Sequence, residues 1–245
     1  MTNLYDANPR ERLMPSGVSY WSPIKIASEL LWTELAQLAA SHAGGRLVDV
    51  GCGTKPYEAL FAPYVTEYVG VDSEGASGSH YGAATRADVH ADCSDTGLAA
   101  ESFDTLLSTQ VIEHIYDTHA FVRECSRLLK KGGTGIFTIP FVWQIHAEPY
   151  DFYRFTRYSI EKLFAQHGFT IVQIAPVGGA YATLLQTKIV SVYCRPSTNL
   201  AYRIFRTLRN AVMVPILNFL ALNLDRLLWN DKLCLNYAVI VKKPE

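Results

Sequence analysis

The strongest constraint on the fold of this chain is a short apolar run that leads into a glycine turn. Residues 46–57 read Arg-Leu-Val-Asp-Val-Gly-Cys-Gly-Thr-Lys-Pro-Tyr, so Asp49 stands near the end of the run, followed by Gly51 and Gly53. Glycine adopts positive φ angles without steric cost and lets a ligand approach the backbone. The run therefore predicts a buried strand followed by a ligand-binding turn.

Two neighbouring residues restrict which ligand this turn can bind. Pro56 stands three places after Gly53, where the dinucleotide fingerprint requires a third glycine, so the sequence argues against an NAD or FAD site. Asp49 lies two residues before Gly51. A carboxylate there suits a ligand that carries an ammonium group and does not suit a pyrophosphate.

With these features the chain resembles the class I S-adenosylmethionine-dependent methyltransferases, whose first motif is an acid, any residue and then Gly-x-Gly. The resemblance covers residues 46–140 and implies S-adenosylmethionine as the cofactor. It places Asp72 on the ribose hydroxyls, and Asp92-Cys93 at the adenine, with Asp88 as the competing acid. The cofactor-binding residues that it implies are Asp49, Gly51, Cys52, Gly53, Asp72, Asp92, Cys93 and Gln110.

The remaining pattern alternates strands with helices, which predicts an α/β, Rossmann-like, doubly wound sheet. We expect helices over 24–42, 57–62, 118–130 and 158–167, and strands over 46–49, 67–71, 84–88, 103–108, 134–140, 169–176 and 235–242. The resemblance implies that the last of the seven strands is antiparallel. The predicted organisation is a helical entry segment (1–45), a methyltransferase domain (46–177 and 233–245) and an apolar helical insertion between strands six and seven (178–232).

The insertion is apolar enough to require a partner surface. Its centre, residues 211–224, is nearly all apolar, but it is shorter than the ~20 residues that span a bilayer and it contains Pro215 and Asn218. A transmembrane helix is therefore not expected. Packing on the domain or a homodimer contact is favoured for the apolar face, and a lid over an apolar acceptor or a peripheral membrane contact stays open.

Composition narrows the class of partner. The 22 Lys and Arg against 23 Asp and Glu give a net charge of −1, and no basic stretch is interleaved with aromatics, which argues against a nucleic-acid partner. The five cysteines are scattered without a C-x-x-C pair, as expected for reduced thiols in a cytoplasmic protein. No apolar signal segment is evident near Met1. No cluster has convincing metal-ligand spacing, so no metal ligand is predicted, although a few sugar methyltransferases that this chain resembles use a divalent ion.

The segment after the fifth strand supplies the candidate catalytic residues, because it lies at the carboxyl edge of a parallel sheet. His146 is the favoured general base, since imidazole titrates near neutral pH, and Asp151 or Glu148 could orient it; His114 is the second candidate. Arg154 either binds an acidic group of the acceptor or pairs with a nearby carboxylate. The predicted acceptor-binding residues are Trp143, Glu148, Tyr153 and Arg154.

The function expected from this resemblance is methyl transfer to a small or medium-sized acceptor, most simply at oxygen. Residues 146–156 resemble a run found in bacterial members that act on sugars, polysaccharide precursors and natural products. The Asn-Pro-Pro-aromatic motif of exocyclic-amine methyltransferases is absent after the fourth strand, where Ser108 to Val111 stand instead. The alternatives are a lipid or quinone acceptor, a non-catalytic cofactor-binding regulator and a nicotinamide-dependent oxidoreductase.

Overall fold

The computed structural model describes residues 18–73, 85–193 and 198–245. Residues 1–17 of the predicted entry segment and residues 194–197 of the predicted insertion lie outside the described residues. Residue 84, the first of the predicted strand 84–88, also lies outside them. One seven-stranded sheet organises the described part of the chain, with strand order β3-β2-β1-β4-β5-β7-β6. Its strands are β1 Arg46–Val50, β2 Glu67–Asp72, β3 Val89–His90, β4 Phe103–Thr109, β5 Leu129–Pro140, β6 Thr170–Val177 and β7 Asn236–Lys242.

The sheet is parallel from β3 to β5 and turns antiparallel at β7. β1 pairs in parallel with β2 on one side and with β4 on the other, while β7 pairs antiparallel with β5. The chain thus leaves β1 toward one edge of the sheet and later returns toward the other. In such Rossmann-like sheets, ligands bind outside the carboxyl ends of the strands where this reversal occurs. The predicted fold class is confirmed.

Six α-helices accompany the strands over the same described ranges. They are α1 Lys25–His42, α2 Glu58–Phe61, α3 Thr118–Leu128, α4 Arg157–Gln166, α5 Ala180–Tyr193 and α6 Leu200–Leu227. Asp117 is the N-cap residue of α3, and its carboxylate accepts from the Ala120 N–H; Thr156 is the N-cap residue of α4, and its hydroxyl accepts from the Ser159 N–H. These side chains satisfy N–H groups that have no partner within the first helical turn.

Two strands differ from the sequence prediction by more than one residue. β3 occupies 89–90, and residues 85–88 precede it, because the Arg86 N–H donates to the Gly53 carbonyl and holds this segment against the glycine turn. β5 begins at Leu129, five residues early, since Leu129 pairs with Phe103 before the register shifts. Both bounds depend on backbone contacts with distant segments, and the apolar pattern of the sequence does not predict those contacts.

The chain forms two compact units. One contains residues 34–141, 145–175 and 236–245, which include β1 to β5, β7 and most of β6. Its largest fully buried side chains include Phe61, Phe103, Phe121, Phe137 and Phe164. The other contains residues up to 33, residues 142–144 and residues 176–235, and therefore holds α5 and α6. Its apolar cluster consists of Ile26, Ala182, Ile189, Val214, Ala221 and Leu235.

The α6 helix is twice as long as the apolar run seen in the sequence. It has 28 residues and begins after Asn199, whose side chain accepts from the Tyr202 N–H. By length and composition α6 could cross a membrane, and 22% of its most apolar window is buried. Core helices of soluble proteins can pass the same test. The sequence argument against a membrane-spanning helix used the length of the apolar run 211–224. That length was wrong for the helix, which has 28 residues.

Proline lies inside α6 without breaking it. Pro215 has no N–H to donate to the carbonyl of Ala211, four residues earlier. The indole Nε1–H of Trp21 donates to that carbonyl at 3.0 Å and replaces the missing bond. Asn218, one turn further along, donates through Nδ2 to the carbonyls of Tyr20 and Ser22. The segment before α1 is thus hydrogen-bonded to the middle of α6.

Candidate functional site

The glycine turn after β1 is held against β2. The N–H groups of Gly51 and Cys52 both donate to the Val71 carbonyl, at 2.8 and 3.0 Å. Gly51 has φ +80°, and a Cβ there would come within 2.4 Å of the Val111 side chain. Gly53 has φ +51°, but a Cβ there would meet nothing within 4 Å. The first glycine is therefore required by packing, whereas the second opens onto space that a ligand can fill.

Asp49 is a buried carboxylate with a hydrogen bond to only one of its two oxygens among the described residues. Its Oδ2 accepts from the Tyr68 hydroxyl at 2.5 Å, and its Oδ1 has no hydrogen-bond partner among the described residues. Burial raises the pKa of Asp49 to about 7, with the charge of Asp72 adding to the effect and the Tyr68 hydrogen bond opposing it. A cationic ligand beside Oδ1 would supply the missing partner.

Asp72 braces the same turn from the end of β2. One carboxylate oxygen accepts from the Gly53 N–H at 2.7 Å, and the other accepts from the Ser73 N–H at 2.8 Å. Each carboxylate oxygen can accept a second hydrogen bond, so the two oxygens can still bind hydroxyl groups. Asp72 therefore joins the turn to the position that the resemblance assigns to the ribose.

The two acids considered for the adenine lie in different surroundings. Asp88 accepts from Lys55 Nζ at 2.5 Å and from the Gly70 N–H at 2.7 Å, and the pKa of Asp88 is lowered because these bonds and the lysine charge outweigh its desolvation. Asp92 is exposed, and its Oδ1 accepts from the Ser94 N–H at 2.7 Å. The lysine contact of Asp88 leaves Asp92 as the favoured prediction for the adenine.

The other two predicted cofactor residues also lie near strand ends. Cys93 is buried, and burial raises the pKa of its thiol well above the usual range, so it stays protonated and packs as a small apolar group. Gln110 follows β4 with φ +55°, and its amide donates to the Thr138 hydroxyl at 3.1 Å. Its side chain is thereby anchored to the neighbouring strand β5.

A second polar group forms where the segment after β5 packs on the short 3₁₀ turn after β4, residues 112–114. The Phe152 N–H donates to the Glu113 carbonyl at 2.9 Å. The Nδ1 of His114 lies 2.8 Å from the Tyr150 carbonyl. Because a carbonyl only accepts, Nδ1 carries the hydrogen, and the lone pair of this imidazole is on Nε2.

His146, Asp151 and Arg154 form a connected cluster on the same segment. Asp151 accepts from the His146 backbone N–H at 3.0 Å, and its Oδ2 lies 3.2 Å from Nδ1 of that ring. Arg154 donates to both Asp151 oxygens, at 2.6 and 2.7 Å. Burial would raise the pKa of Asp151, but the bonds from Arg154 and His146 outweigh it and hold that pKa below its usual value.

The two histidines meet edge to face, so residues far apart in sequence share one site. The ring centroids of His114 and His146 are 4.8 Å apart. Glu113 is fully buried beside them, and burial raises its pKa to about 8. One ligand atom from each of these three residues lies within 4.8 Å of the others, close enough to hold a metal ion. The sequence predicted no metal, since the spacing of these residues along the chain gives no such signal.

The predicted acceptor-binding residues have different contacts. Arg154 contacts the His146 ring, and the Tyr153 hydroxyl donates to the Tyr116 carbonyl at 3.0 Å. Glu148 is exposed, and the carboxylate that contacts both His146 and Arg154 is that of Asp151. Trp143 packs on the apolar cluster of the unit that contains α5 and α6.

Sequence reasoning missed three residues at these sites. Tyr68 bonds Asp49, and Lys55 bonds Asp88. Glu113 was not predicted, although a charged residue directly after an apolar run is a signal of a special environment. No comparable signal marks Tyr68, because an aromatic residue in a strand is ordinarily explained by packing.

Comparison with known proteins agrees with this geometry. Residues 48–137, which contain β2 to β4, most of β1 and β5 and the glycine turn, match the model of a methyltransferase domain. This region is thus similar to a methyltransferase domain, in agreement with the resemblance of the sequence to the class I S-adenosylmethionine-dependent methyltransferases. It is similar to a protein of Mycolicibacterium smegmatis named "Probable S-adenosylmethionine-dependent methyltransferase", with 33% identity over 106 residues that cover 42% of this chain and 41% of that protein.

Other relatives of the methyltransferase domain cover similar shares. A ubiquinone biosynthesis O-methyltransferase of Rhodopseudomonas palustris is 26% identical over 136 residues, which are 51% of this chain and 50% of that protein. This chain thus spans about half the length of the curated relatives it matches, or less. The structure of an S-adenosylmethionine-dependent methyltransferase from Mesorhizobium loti superposes with a TM-score of 0.52 at 15% identity, covering 89% of this chain and 99% of that one, which shows a shared fold.

The methyltransferase domain has the features that its cofactor requires. The Oδ1 atom of Asp49, which no described residue bonds, suits the ammonium group of the cofactor, and the open space at Gly53 admits a ligand next to the backbone. Asp72 stands beside this space with two acceptor oxygens. These residues fit S-adenosylmethionine, which supplies an electrophilic methyl group when bound.

Proposed function

We propose that this protein transfers the methyl group of S-adenosylmethionine to a hydroxyl group of a small or medium-sized acceptor. Sugars, polysaccharide precursors and natural products with a free hydroxyl are the acceptor classes that we favour. The observation that carries the proposal is the pair of sites after adjacent strands, with Asp49 and Asp72 on one side and His114 and His146 on the other.

The two sites lie close because the chain segments that carry them touch. The Val111 side chain lies directly against Gly51, so that a Cβ on this glycine would come within 2.4 Å of it, and the Ser108 hydroxyl donates to the Val50 carbonyl. Glu113 and His114 follow only two or three residues after Val111. An acceptor bound at the histidines would thus face a cofactor bound at the glycine turn, and protein groups would exclude water between them.

An oxygen acceptor is favoured because the polar groups around the histidines can bind a hydroxyl and manage its proton. An amine acceptor would need only alignment with the methyl group. The R. palustris relative is named as an O-methyltransferase, which supports an oxygen acceptor without identifying it.

A lipid or quinone acceptor at a membrane surface is the second candidate, and a specific surface favours it. The exposed face of α6, which we call the α6 apolar face, carries large apolar side chains that are 39–65% exposed. They are Ile204, Phe205, Leu208, Val212, Ile216, Phe219 and Leu220. Arg203 and Arg226 are exposed on the same helix, and positive charge of this kind attracts anionic lipid headgroups.

The proposed function is tested with purified protein and S-adenosylmethionine that is radiolabelled in its methyl group. Acceptors would be soluble hydroxyl compounds, matched amines, and a quinol in phosphatidylglycerol vesicles. We expect label to enter hydroxyl compounds and S-adenosylhomocysteine to accumulate in equal amount. Label transferred only to amines would refute the oxygen acceptor, and label transferred only in vesicles would favour the membrane candidate.

A further inference from the structure

Glu113 is a buried carboxylate whose hydrogen-bonding capacity the protein leaves unfilled. It has no exposed surface, and neither side-chain oxygen has a hydrogen-bond partner among the described residues. Buried carboxylates of this kind are ordinarily paired with a cation or bound to a metal. His114 lies beside this carboxylate, and its Nε2 is 3.7 Å from Oε1 of Glu113.

This separation matches two ligands of one ion. Zinc binds imidazole nitrogen and carboxylate oxygen at about 2.0 to 2.2 Å, so two ligand atoms 3.7 Å apart can share an ion at an open angle. Because Nδ1 of His114 is held by the Tyr150 carbonyl at 2.8 Å, the ring presents the lone pair of Nε2 on the side of Glu113.

His146 is oriented in the way that metal-binding histidines usually are. Its Nδ1 lies 3.2 Å from the Asp151 carboxylate, and the two bonds from Arg154 fix that carboxylate in turn. A carboxylate behind an imidazole sets the tautomer and raises the basicity of the other ring nitrogen. The charge of Arg154 opposes a nearby cation, but its bonds to Asp151 largely neutralise it.

We propose that Glu113, His114 and His146 form a binding site for one divalent transition-metal ion, with Zn²⁺ as the best match. Two imidazoles and one carboxylate form a ligand set typical of catalytic zinc sites, whereas Mg²⁺ and Ca²⁺ prefer oxygen ligands throughout. Three protein ligands leave a position for an acceptor oxygen. His146 then acts as a ligand and not as the general base that the sequence predicts.

The use of this ion in methyl transfer rests on the proposed function, but the binding of the ion does not. The test is therefore made without cofactor or acceptor. Protein freed of metal by a chelator is titrated with Zn²⁺ in competition with a chromophoric chelator, and with Co²⁺ while the visible absorption is recorded. We expect one Zn²⁺ per chain, no competition from Mg²⁺, and Co²⁺ bands that report nitrogen ligands.

Variants locate the ion. Glu113→Gln, which is nearly isosteric, and His146→Ala should each weaken Zn²⁺ binding by at least about 100-fold, and Asp151→Asn by about 10- to 100-fold through the orientation of His146. His167→Ala is the matched control, since it disrupts another histidine pair, in which Nε2 of His167 lies 3.0 Å from Nδ1 of His119. Circular dichroism and thermal unfolding verify that each variant is folded.

Three results would overturn the proposal. The first is that the unchanged protein binds no Zn²⁺. The second is that Glu113→Gln and His146→Ala bind Zn²⁺ as tightly as the unchanged protein does, and the third is that only His167→Ala loses binding. The metal site and the proposed function fail independently. Methyl transfer by a chain that binds no Zn²⁺ overturns the metal site alone, whereas Zn²⁺ binding without methyl transfer to any hydroxyl overturns the proposed function alone.

Discussion

At the scale of single residues, Asp72 has two tasks that a substitution can separate. Asp72→Ala should weaken binding of S-adenosylhomocysteine by about 2 to 3 kcal/mol, the value of two charge-assisted hydrogen bonds to the ribose. Asp72→Asn keeps one acceptor oxygen for the Gly53 N–H and should lose less. Calorimetric titration measures both. Unchanged affinity in a folded Asp72→Ala protein would refute the ribose assignment.

Asp49 predicts a pH dependence of cofactor binding. Its pKa of about 7 in the free protein means that the carboxyl is largely protonated below that pH. A cationic ligand at Oδ1 favours the charged form, so binding should release a proton, and the affinity should rise with pH by up to about tenfold per unit below pH 7. Above this range the carboxyl is already charged, and the affinity should level off.

The measurement is calorimetric titration of S-adenosylhomocysteine from about pH 6 to about pH 8, in buffers of different ionisation enthalpy. Asp49→Asn is the control, because its side chain does not titrate, and its affinity should be weaker and flat with pH. The same slope in both proteins would show that Asp49 does not face the ligand's positive charge.

At the scale of elements, Gly53 and Gly168 both have positive φ, but we expect only substitution of Gly53 to affect cofactor binding. Gly53→Ala and Gly168→Ala each place a Cβ at positive φ with no atom within 4 Å, so each should lose about 1 to 2 kcal/mol of stability. Only Gly53→Ala fills cofactor space. Thermal unfolding should give similar losses, and titration should show weakened S-adenosylhomocysteine binding in Gly53→Ala alone. Equal affinity in the two variants would place the cofactor elsewhere.

The α6 apolar face predicts vesicle binding if the acceptor is lipid-borne. Leu208→Ser with Phe219→Ser should reduce co-sedimentation with phosphatidylglycerol vesicles, because each buried apolar side chain contributes about 1.5 to 3 kcal/mol. Val172→Ser is the control, since this residue is 51% exposed on β6 in the other compact unit. Equal sedimentation of both variants, or none of the unchanged protein, would remove the membrane candidate.

Strands and strand-end acids could be predicted from the sequence, and element bounds that depend on distant contacts could not. Asp49 was predicted from its position before the glycine turn and Asp72 from the family resemblance, and both lie at strand ends as a parallel sheet requires. The length of α6 was missed because Arg203, Arg206 and Arg209 interrupt the apolar pattern of its first half. Those residues are good helix formers, and the Asn199 cap was a usable signal of the true start.

At the scale of the whole molecule, the candidate site combines local and distant information. The cluster of His146, Asp151 and Arg154 lies within nine residues, so sequence spacing suggested it. The meeting of His114 with His146 depends on how the segments after β4 and β5 pack, and no pattern along the chain encodes that contact. This is why the sequence indicated a base but not a metal site.

The central claim is that the carboxyl edge of the sheet binds S-adenosylmethionine. Isothermal titration calorimetry of the purified, folded protein with S-adenosylhomocysteine tests it most directly. We predict saturable binding of one ligand per chain, weakened by Asp72→Ala and Gly53→Ala and unaffected by Gly168→Ala. Absence of binding to the unchanged protein, or binding that is indifferent to these substitutions, would contradict this claim.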